Sequence, residues 1–534
     1  MPTENRLRRE FLMCAGAALT GTALGAQAGP GAAMAAAPVE KAGVFNVRML
    51  GAVGDGKTLD TPAIDKAIAA AAAAGGGTVL FPAGSYLSYS IHLRSNVDLY
   101  LDQGSSIVAA DSPAPGASGG YDLPEPNEWS NYQDFGHSHW RNSLLWGEGI
   151  ENIAILGPGR IWGKGLSKGY GPGPRAEQPG VGNKAISLRN CHNVLLRDFS
   201  ILHGGHFAIL ATGADNLTID NLRIDTNRDG IDVDCCRNVR ISNCYVNSPW
   251  DDGICLKSCF ALGWAKPTEF VTITNCYLSG CWEEGTLLDG TYKHFAPGVR
   301  VPYTGRIKFG TESNGGFRNI AISNCVFEGC QGLALESVDG ALLEDVTITN
   351  ISMRDITSAP IFMRLGRRMR GPAGVPVGTL KRVIISNLVC SKSVSALGSV
   401  ISGIPGHDVE DVTISHVQVW HKGGGTKEQA ALEPPEKETA YPEPDMFGAM
   451  PSHGFYIRHA KGIRLDNIEI GAAKEDRRPA FVLDDVRDAD FFRIRTPQVA
   501  DTPVFALHNV ADLAVHMCRP APDTQLAQTE RSTL

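Results

Sequence analysis

The phrase NLTIDNLRI (216–224) returns along this chain as NVRISNCYV (238–246), FVTITNCYL (270–278) and NIAISNCVF (319–327). Each copy alternates apolar and polar residues, is rich in Val and Ile, and is interrupted by an Asn, which is typical of short strands joined by a turn. Asn221 and Asn243 lie 22 residues apart. A unit of that length cannot bury its own apolar face, whereas stacked units can, with strands about 4.8 Å apart. The repeat therefore predicts an all-β, single-stranded right-handed parallel β-helix.

The turn residues and the cysteines behind them should stack. Asn221, Asn243 and Asn275 are predicted to form a ladder inside the bends, with each amide satisfied by its neighbours. Three cysteines directly follow such an Asn: Cys244, Cys276 and Cys325. We therefore expect an interior row of free thiols here rather than disulfides.

Both ends of the solenoid have a recognisable composition. Residues 51–86 predict a loop, a helix and a strand, in which Asp60 or Thr61 caps the helix, Pro62 takes its first turn and Gly75 ends it. That helix would cover the open end of the coil, where strand edges are otherwise exposed. Residues 423–452 are predicted to form a long loop. The catalytic β-helix domain is predicted to span 45–520.

The first 28 residues resemble a twin-arginine export signal, with Arg8-Arg9 before an apolar stretch; cleavage as late as residue 37 fits the Ala-rich sequence. This stretch is too short for a membrane span, and no other one is long enough. We expect a monomeric protein that is periplasmic or secreted. Lys and Arg total 49 against 57 Asp and Glu, for a net charge of −8. No basic excess favours nucleic acid as a partner. No cysteine spacing indicates a metal site, and no cofactor is expected.

Acidic residues recur at the coil repeat. Asp229 lies in NRDGID, and Asp251 and Asp252 lie 22 and 23 residues further on, in PWDDGICLKS. Each Asp-Gly step alone is an ordinary turn. Stacked coils, however, would bring all three carboxylates to one patch, where mutual repulsion raises at least one pKa and allows a neutral acid beside an ionised base.

These two motifs resemble those of glycoside hydrolase family 28, the polygalacturonases, and the resemblance extends over about residues 45–400. It implies a right-handed β-helix of the pectin-lyase-like kind that hydrolyses pectic glycosidic bonds with inversion and without a metal. By position, Asp251 would be the general acid, Asp229 and Asp252 would activate water, and Asn227 would order the site.

Two family motifs are changed. Thr304 stands where the family has a His, and Ala334 and Glu336 stand where an Arg-x-Lys pair holds a substrate carboxylate. Arg306 and Lys308 lie one coil too early to be that pair, although their charges would serve the same purpose. A rhamnogalacturonan or another side-chain linkage therefore fits as well as galacturonan.

Further residues near the aspartates are candidates for binding a pectic poly- or oligosaccharide. Trp250 and Trp282 offer aromatic surfaces, each balanced against an ordinary packing role. The remaining candidates are polar residues on the coils around the motif: His206, Lys257, Glu312 and Asn314.

Two other classes of function compete with the hydrolase. A β-helix polysaccharide lyase would use the aspartates as ligands of a cation such as Ca²⁺. A non-catalytic carbohydrate-binding β-helix would have no need of clustered carboxylates.

Overall fold

The computed structural model describes residues 43–114, 116–171 and 173–534. The predicted export signal lies outside the described residues. Three parallel sheets wind around one apolar core, as the repeat predicts, because every coil contributes one strand or strand segment to each sheet. The chain is an all-β right-handed parallel β-helix.

The first sheet supports the acidic residues. Its strands are Ile91–His92, Leu145–Glu148, Lys184–Arg189, Phe207–Thr212, Asp229–Asp234, Ile254–Ser258, Ile307–Ser313, Leu333–Ser337, Ile361–Leu365 and Ser399–Ser402.

The second sheet contains the repeated phrase. Its strands are Val44–Asn46, Gly77–Phe81, Val97–Leu101, Glu151–Leu156, His192–Arg197, Asp215–Asp220, Arg237–Ser242 and Thr268–Thr274.

The third sheet is narrower. Its strands are Asp55–Leu59, Gly84–Ser88, Ser105–Ala109, Arg160–Trp162, Ser200–Leu202, Arg223–Asp225, Tyr245–Asn247 and Tyr277–Ser279.

Later coils use long strands that bend from one sheet into the next. They are Phe317–Glu328, Leu342–Ile356, Thr379–Ser393, Val409–His421, Phe455–Ala472, Phe481–Phe492 and Phe505–His516. The last strand, Thr524–Thr533, runs antiparallel to Phe505–His516.

Helices are short and peripheral. The α-helices are Thr61–Ala73, Thr286–Asp289 and Lys427–Ala430, and the 3-10 turns are Val47–Leu50, Ser130–Tyr132, Phe135–Ser138 and Pro444–Phe447. The predicted N-terminal helix is confirmed, and its buried face, which includes Ile64 and Ile68, packs on the first coils. Asp60 takes the cap position, but its carboxylate accepts from the amides of Val53 and Gly54 instead of capping the helix. No helix in the described part of the chain combines the length and apolar character that a bilayer crossing requires.

The Asn ladder exists, but it faces outward, so the prediction that it lies inside the bend is wrong. Asn275 Nδ2 donates to Asn243 Oδ1 at 3.2 Å, and Asn324 Nδ2 donates to Asn275 Oδ1 at 3.2 Å. Asn243 and Asn275 have φ of 57° and 56°, and this left-handed turn leaves their side chains exposed. Asn tolerates that conformation better than most residues.

A second Asn ladder was missed in the sequence. It joins Asn96, Asn152, Asn193 and Asn216 through side-chain hydrogen bonds of 2.9–3.0 Å. The cysteine prediction is confirmed: Cys244, Cys276 and Cys325 are buried in the core, and the described cysteines are free thiols.

Candidate active site

The structure brings the three aspartates together on the first sheet. Asp229 begins the strand Asp229–Asp234, and Ile231 pairs in register with Ile254 of the next coil. Asp251 and Asp252 lie in the turn before that next strand and therefore stand over Asp229. One oxygen from each carboxylate lies within 4.8 Å of the others.

The surroundings of two of these aspartates differ in charge. Burial raises the pKa of Asp229 well above its ordinary value, and the nearby charges of Asp232 and Asp251 raise it further. Burial also raises the pKa of Asp252, but Lys308 and Arg306 outweigh it and hold that pKa below its ordinary value. A neutral carboxyl and an ionised carboxylate therefore stand side by side near neutral pH.

Asp251 is the member of the cluster that reaches the surface, with its side chain 26% exposed against 3% for that of Asp252. Arg228 Nη2 and Nε donate to Asp251 Oδ2 at 2.6 and 3.0 Å. The amide of Asp252 donates to Asp251 Oδ1 at 3.0 Å. Asp251 is thus the carboxyl best placed to contact a substrate.

The insertion between Ser279 and Ile307 reaches this cluster through Glu284. Glu284 Oε1 accepts from Asn227 Nδ2 at 3.4 Å and from Trp250 Nε1 at 3.0 Å. The ring of Trp250 lies 6.0 Å from that of Tyr170 and 6.2 Å from that of Phe295. Asn227 and Trp250 therefore border the aspartates, as predicted, and form an aromatic wall on this side.

Trp282 lies elsewhere in the same insertion. Its side chain is 9% exposed and packs with Cys281 and Leu287, and its indole N–H donates to Tyr277 at 2.8 Å. The structure therefore places the Trp282 ring in the small core of the insertion, where its edge serves packing instead of a sugar.

A second charged cluster adjoins the first. Lys257 Nζ lies 3.3 Å from Glu312 and 3.8 Å from Asp232, and Arg370 also pairs with Glu312. Asp234 and Lys257 are register partners, as the 23-residue offset predicts. The carboxylate of Asp234 nevertheless accepts from the Cys259 amide at 2.8 Å and does not pair with Lys257.

Asn314 and His206 lie on either side of these charges. Asn314 Nδ2 donates to the carbonyl of Arg370 at 3.1 Å. His206 is stacked on Phe207 at 4.2 Å, and burial lowers its pKa well below the ordinary value. It lines a cavity of about 230 Å³ together with Arg228, so a neutral imidazole and a guanidinium border one space beside Asp251.

Arg306 and Lys308 lie on the coil after Asp252 and contact it directly. Arg306 Nε is 2.8 Å from Asp252 Oδ1, and Lys308 Nζ is 3.5 Å from Oδ2. Both cations are buried. On the following coil Ala334 pairs with Lys308 in register, and Glu336 lies 3.8 Å from its Nζ. Burial raises the pKa of Glu336 to about 8.

Sequence reasoning missed two residues at this site. Arg228 precedes Asp229, and its neighbour in the quoted motif was the available signal. Glu443 comes from the loop 423–452 and contacts Arg306 and Lys308; no local pattern marks it.

Three groups of side chains are close enough for a metal ion among the described residues. One is the aspartate cluster itself, but Arg228, Arg306 and Lys308 already neutralise much of its charge. In the others, Lys257 and Arg370 occupy Glu312, and burial raises the pKa of the Cys259 thiol to about 11, so that it stays protonated. Protonated thiols and paired carboxylates are poor ligands.

Two family models match the chain. Residues 44–136 match "Rhamnogalacturonase A/epimerase, pectate lyase-like", and residues 179–291 match "Right handed beta helix region". A probable polygalacturonase of Vitis vinifera is 23% identical over 330 residues, which cover 57% of this chain and 59% of the grape protein. The chain thus spans less than two thirds of that relative.

Two solved structures share the fold. A family 28 exopolygalacturonase of Yersinia enterocolitica is 19% identical with a TM-score of 0.59, covering 84% of this chain and 78% of its own. An exopolygalacturonase of Thermotoga maritima is 20% identical with a TM-score of 0.55, covering 71% of this chain and 87% of its own.

The winding of the sheets and the carboxylates on one of them define a pectin-lyase-like right-handed β-helix protein. Within that class, the polygalacturonase relatives and the quoted aspartate motifs identify the chain as a glycoside hydrolase family 28-like protein.

Proposed function

We propose that the protein hydrolyses glycosidic bonds in a pectic poly- or oligosaccharide of the galacturonan or rhamnogalacturonan type. The observation that carries this proposal is the cluster of Asp229, Asp251 and Asp252, in which burial raises the pKa of one carboxyl and cations lower the pKa of another. Glycoside hydrolysis requires such a pair, one group to protonate the leaving oxygen and one to activate water. The polygalacturonase relatives support the substrate class.

Each aspartate takes a separate role in this proposal. Asp251 protonates the leaving oxygen, because its carboxyl is the exposed one; the substrate must first displace Arg228 from Oδ2. Asp252, held ionised by Lys308 and Arg306, activates the water. The raised pKa of Asp229 fits a proton reservoir beside Asp251 better than the base role that the sequence predicts for it.

The stereochemistry rests on the family resemblance, from which we propose inversion. Inverting enzymes usually separate their two carboxyl groups by roughly 6.5–9.5 Å, and retaining ones by about 5–5.5 Å. The nearest oxygens here lie within 4.8 Å, which is shorter than the inverting spacing and favours retention. The anomeric configuration of the first product decides between the two outcomes.

We also propose that the protein is monomeric and exported to the periplasm or the medium, on the strength of the signal-like residues 1–28. Fractionation of the native host and size-exclusion chromatography with light scattering test these two points. A cytoplasmic or oligomeric protein would contradict them.

A panel of defined pectic oligosaccharides tests the activity. We expect new reducing ends, unchanged activity in EDTA, and no rise in absorbance from an unsaturated product. An unsaturated product that depends on a divalent cation would establish a lyase instead. Binding without turnover would indicate a carbohydrate-binding protein.

A further inference from the structure

The loop 423–452 places one of its carboxylates on the two buried cations of the site. Glu443 Oε1 lies 2.6 Å from Arg306 Nη2 and 3.4 Å from Lys308 Nζ. Tyr441 of the same loop lies beside them, with its hydroxyl 3.4 Å from Lys308 Nζ. The site is therefore built partly from a segment more than 130 residues away in sequence.

The loop is anchored directly after Glu443. Glu443 caps the 3-10 turn Pro444–Phe447, in which Pro444 and Phe447 are buried. Phe447 packs in a cluster with Ala334 and Phe362, outside the main core. This anchoring holds Glu443 at the cations without help from a ligand.

The charges around Arg306 and Lys308 balance within the chain. Asp252 and Glu443 contribute two negative charges against two positive ones. Burial raises the pKa of Glu443, but Arg306 and Lys308 reverse the shift and keep it below the ordinary value. Glu336, the third acid, is held neutral below pH 8 by its burial. The two cations therefore have no charge left for a carboxylate from outside.

We propose that Glu443 determines substrate specificity: it makes this side of the catalytic cluster accept a neutral sugar unit and reject a uronate. An entering carboxylate would meet Asp252 and Glu443 while both remain ionised, and like charges at such range repel strongly in a poorly hydrated site. To bind Arg306 it would have to displace Glu443, whose own charge would then lose its partners. A neutral ring carries no such penalty, and the half-exposed Tyr441 offers it an apolar face. This inference rests on the proposed hydrolase function.

The test compares wild type with Glu443→Gln, which keeps the shape of the side chain but removes its charge. Two oligosaccharides of equal length are used, a homogalacturonan and an alternating rhamnose–galacturonate oligomer. We expect the wild type to prefer the alternating oligomer, and the variant to shift the kcat/KM ratio toward the homogalacturonan about tenfold or more. Glu438→Gln is the matched control, because Glu438 lies on the same loop and pairs with Arg367 at the surface; its ratio should stay unchanged.

Calorimetric binding to variants that also have Asp251→Asn separates this inference from the activity. We expect Glu443→Gln to raise the affinity for trigalacturonate about tenfold and to leave the affinity for the alternating oligomer nearly unchanged. An unchanged trigalacturonate affinity, or a wild type that prefers homogalacturonan, would overturn the role of Glu443. Expected binding shifts without turnover by any active form would instead refute hydrolysis and leave the specificity inference standing for a binding protein.

Discussion

Arg306 Nε lies 2.8 Å from Asp252 Oδ1, so a buried guanidinium from one coil holds the carboxylate of the coil before it. Together with Lys308 it keeps the pKa of Asp252 below the ordinary value despite burial. Removing the cation should therefore raise that pKa and delay ionisation of the proposed base until higher pH.

Arg306→Gln is expected to move the acidic limb of the kcat/KM profile upward by about one pH unit or more, with activity lost first at low pH. Arg306→Lys keeps the charge and should keep most of the limb in place. Identical profiles for wild type and the Gln variant would show that Asp252 is not the titrating base.

Asp251→Asn should lower turnover by about 10²–10⁴-fold, because the amide keeps the shape but has no proton to transfer. The loss should be smaller for substrates with a good leaving group, which need less protonation. Asp252→Asn should impair good and poor leaving groups alike. Near-normal turnover by Asp251→Asn, with the fold checked by circular dichroism, would make Asp229 the acid.

The first product should have the inverted anomeric configuration when NMR spectra are recorded within minutes of mixing. Inversion requires room for a water between base and sugar, which the nearest carboxyl oxygens, within 4.8 Å, do not leave between themselves. The water must then approach from the substrate side. Net retention would establish a covalent intermediate and make one aspartate the nucleophile.

Glu336 should make the stability of the protein depend on pH. Its pKa is raised to about 8 in the fold, against an ordinary value of about 4.3 in the unfolded chain. The native state therefore binds more protons than the unfolded state between these values, and stability is lost as pH rises from about 4.5 to about 8. Glu336→Gln should melt close to wild type at pH 4.5 and at a higher temperature near pH 8. Parallel melting curves across this range would contradict the buried neutral acid.

Asn275 supports the outer ladder in two ways, through hydrogen bonds to Asn243 and Asn324 and through its φ of 56°. Asn275→Gly loses the hydrogen bonds but accepts the backbone conformation, at a cost of about 1 kcal/mol. Asn275→Ala also strains the backbone and should cost about 2 kcal/mol. Thermal midpoints should rank wild type, then Gly, then Ala; equal midpoints for Gly and Ala would remove the argument from backbone strain.

The local features of the fold were predictable from the sequence. Alternation with period two and an Asn at each turn are properties of a few adjacent residues, and the 22-residue repeat then implies which residues stack. The convergence of Asp229 with Asp251 and Asp252 follows from that repeat, and so do the buried cysteines. The direction of the Asn side chains did not follow, because the repeat fixes spacing along the chain but not the hand of the turn residue.

The electrostatics of the site were decided by the tertiary structure. Arg228 pairs with Asp251 from the coil below, Arg306 and Lys308 grip Asp252 from the coil above, and Glu443 reaches both cations from a distant loop. Strand register follows a repeating pattern of apolar and polar residues. Ion pairs between a loop and a coil depend on where an irregular segment folds back and which charges burial then forces together, and no local pattern in the sequence contains that information.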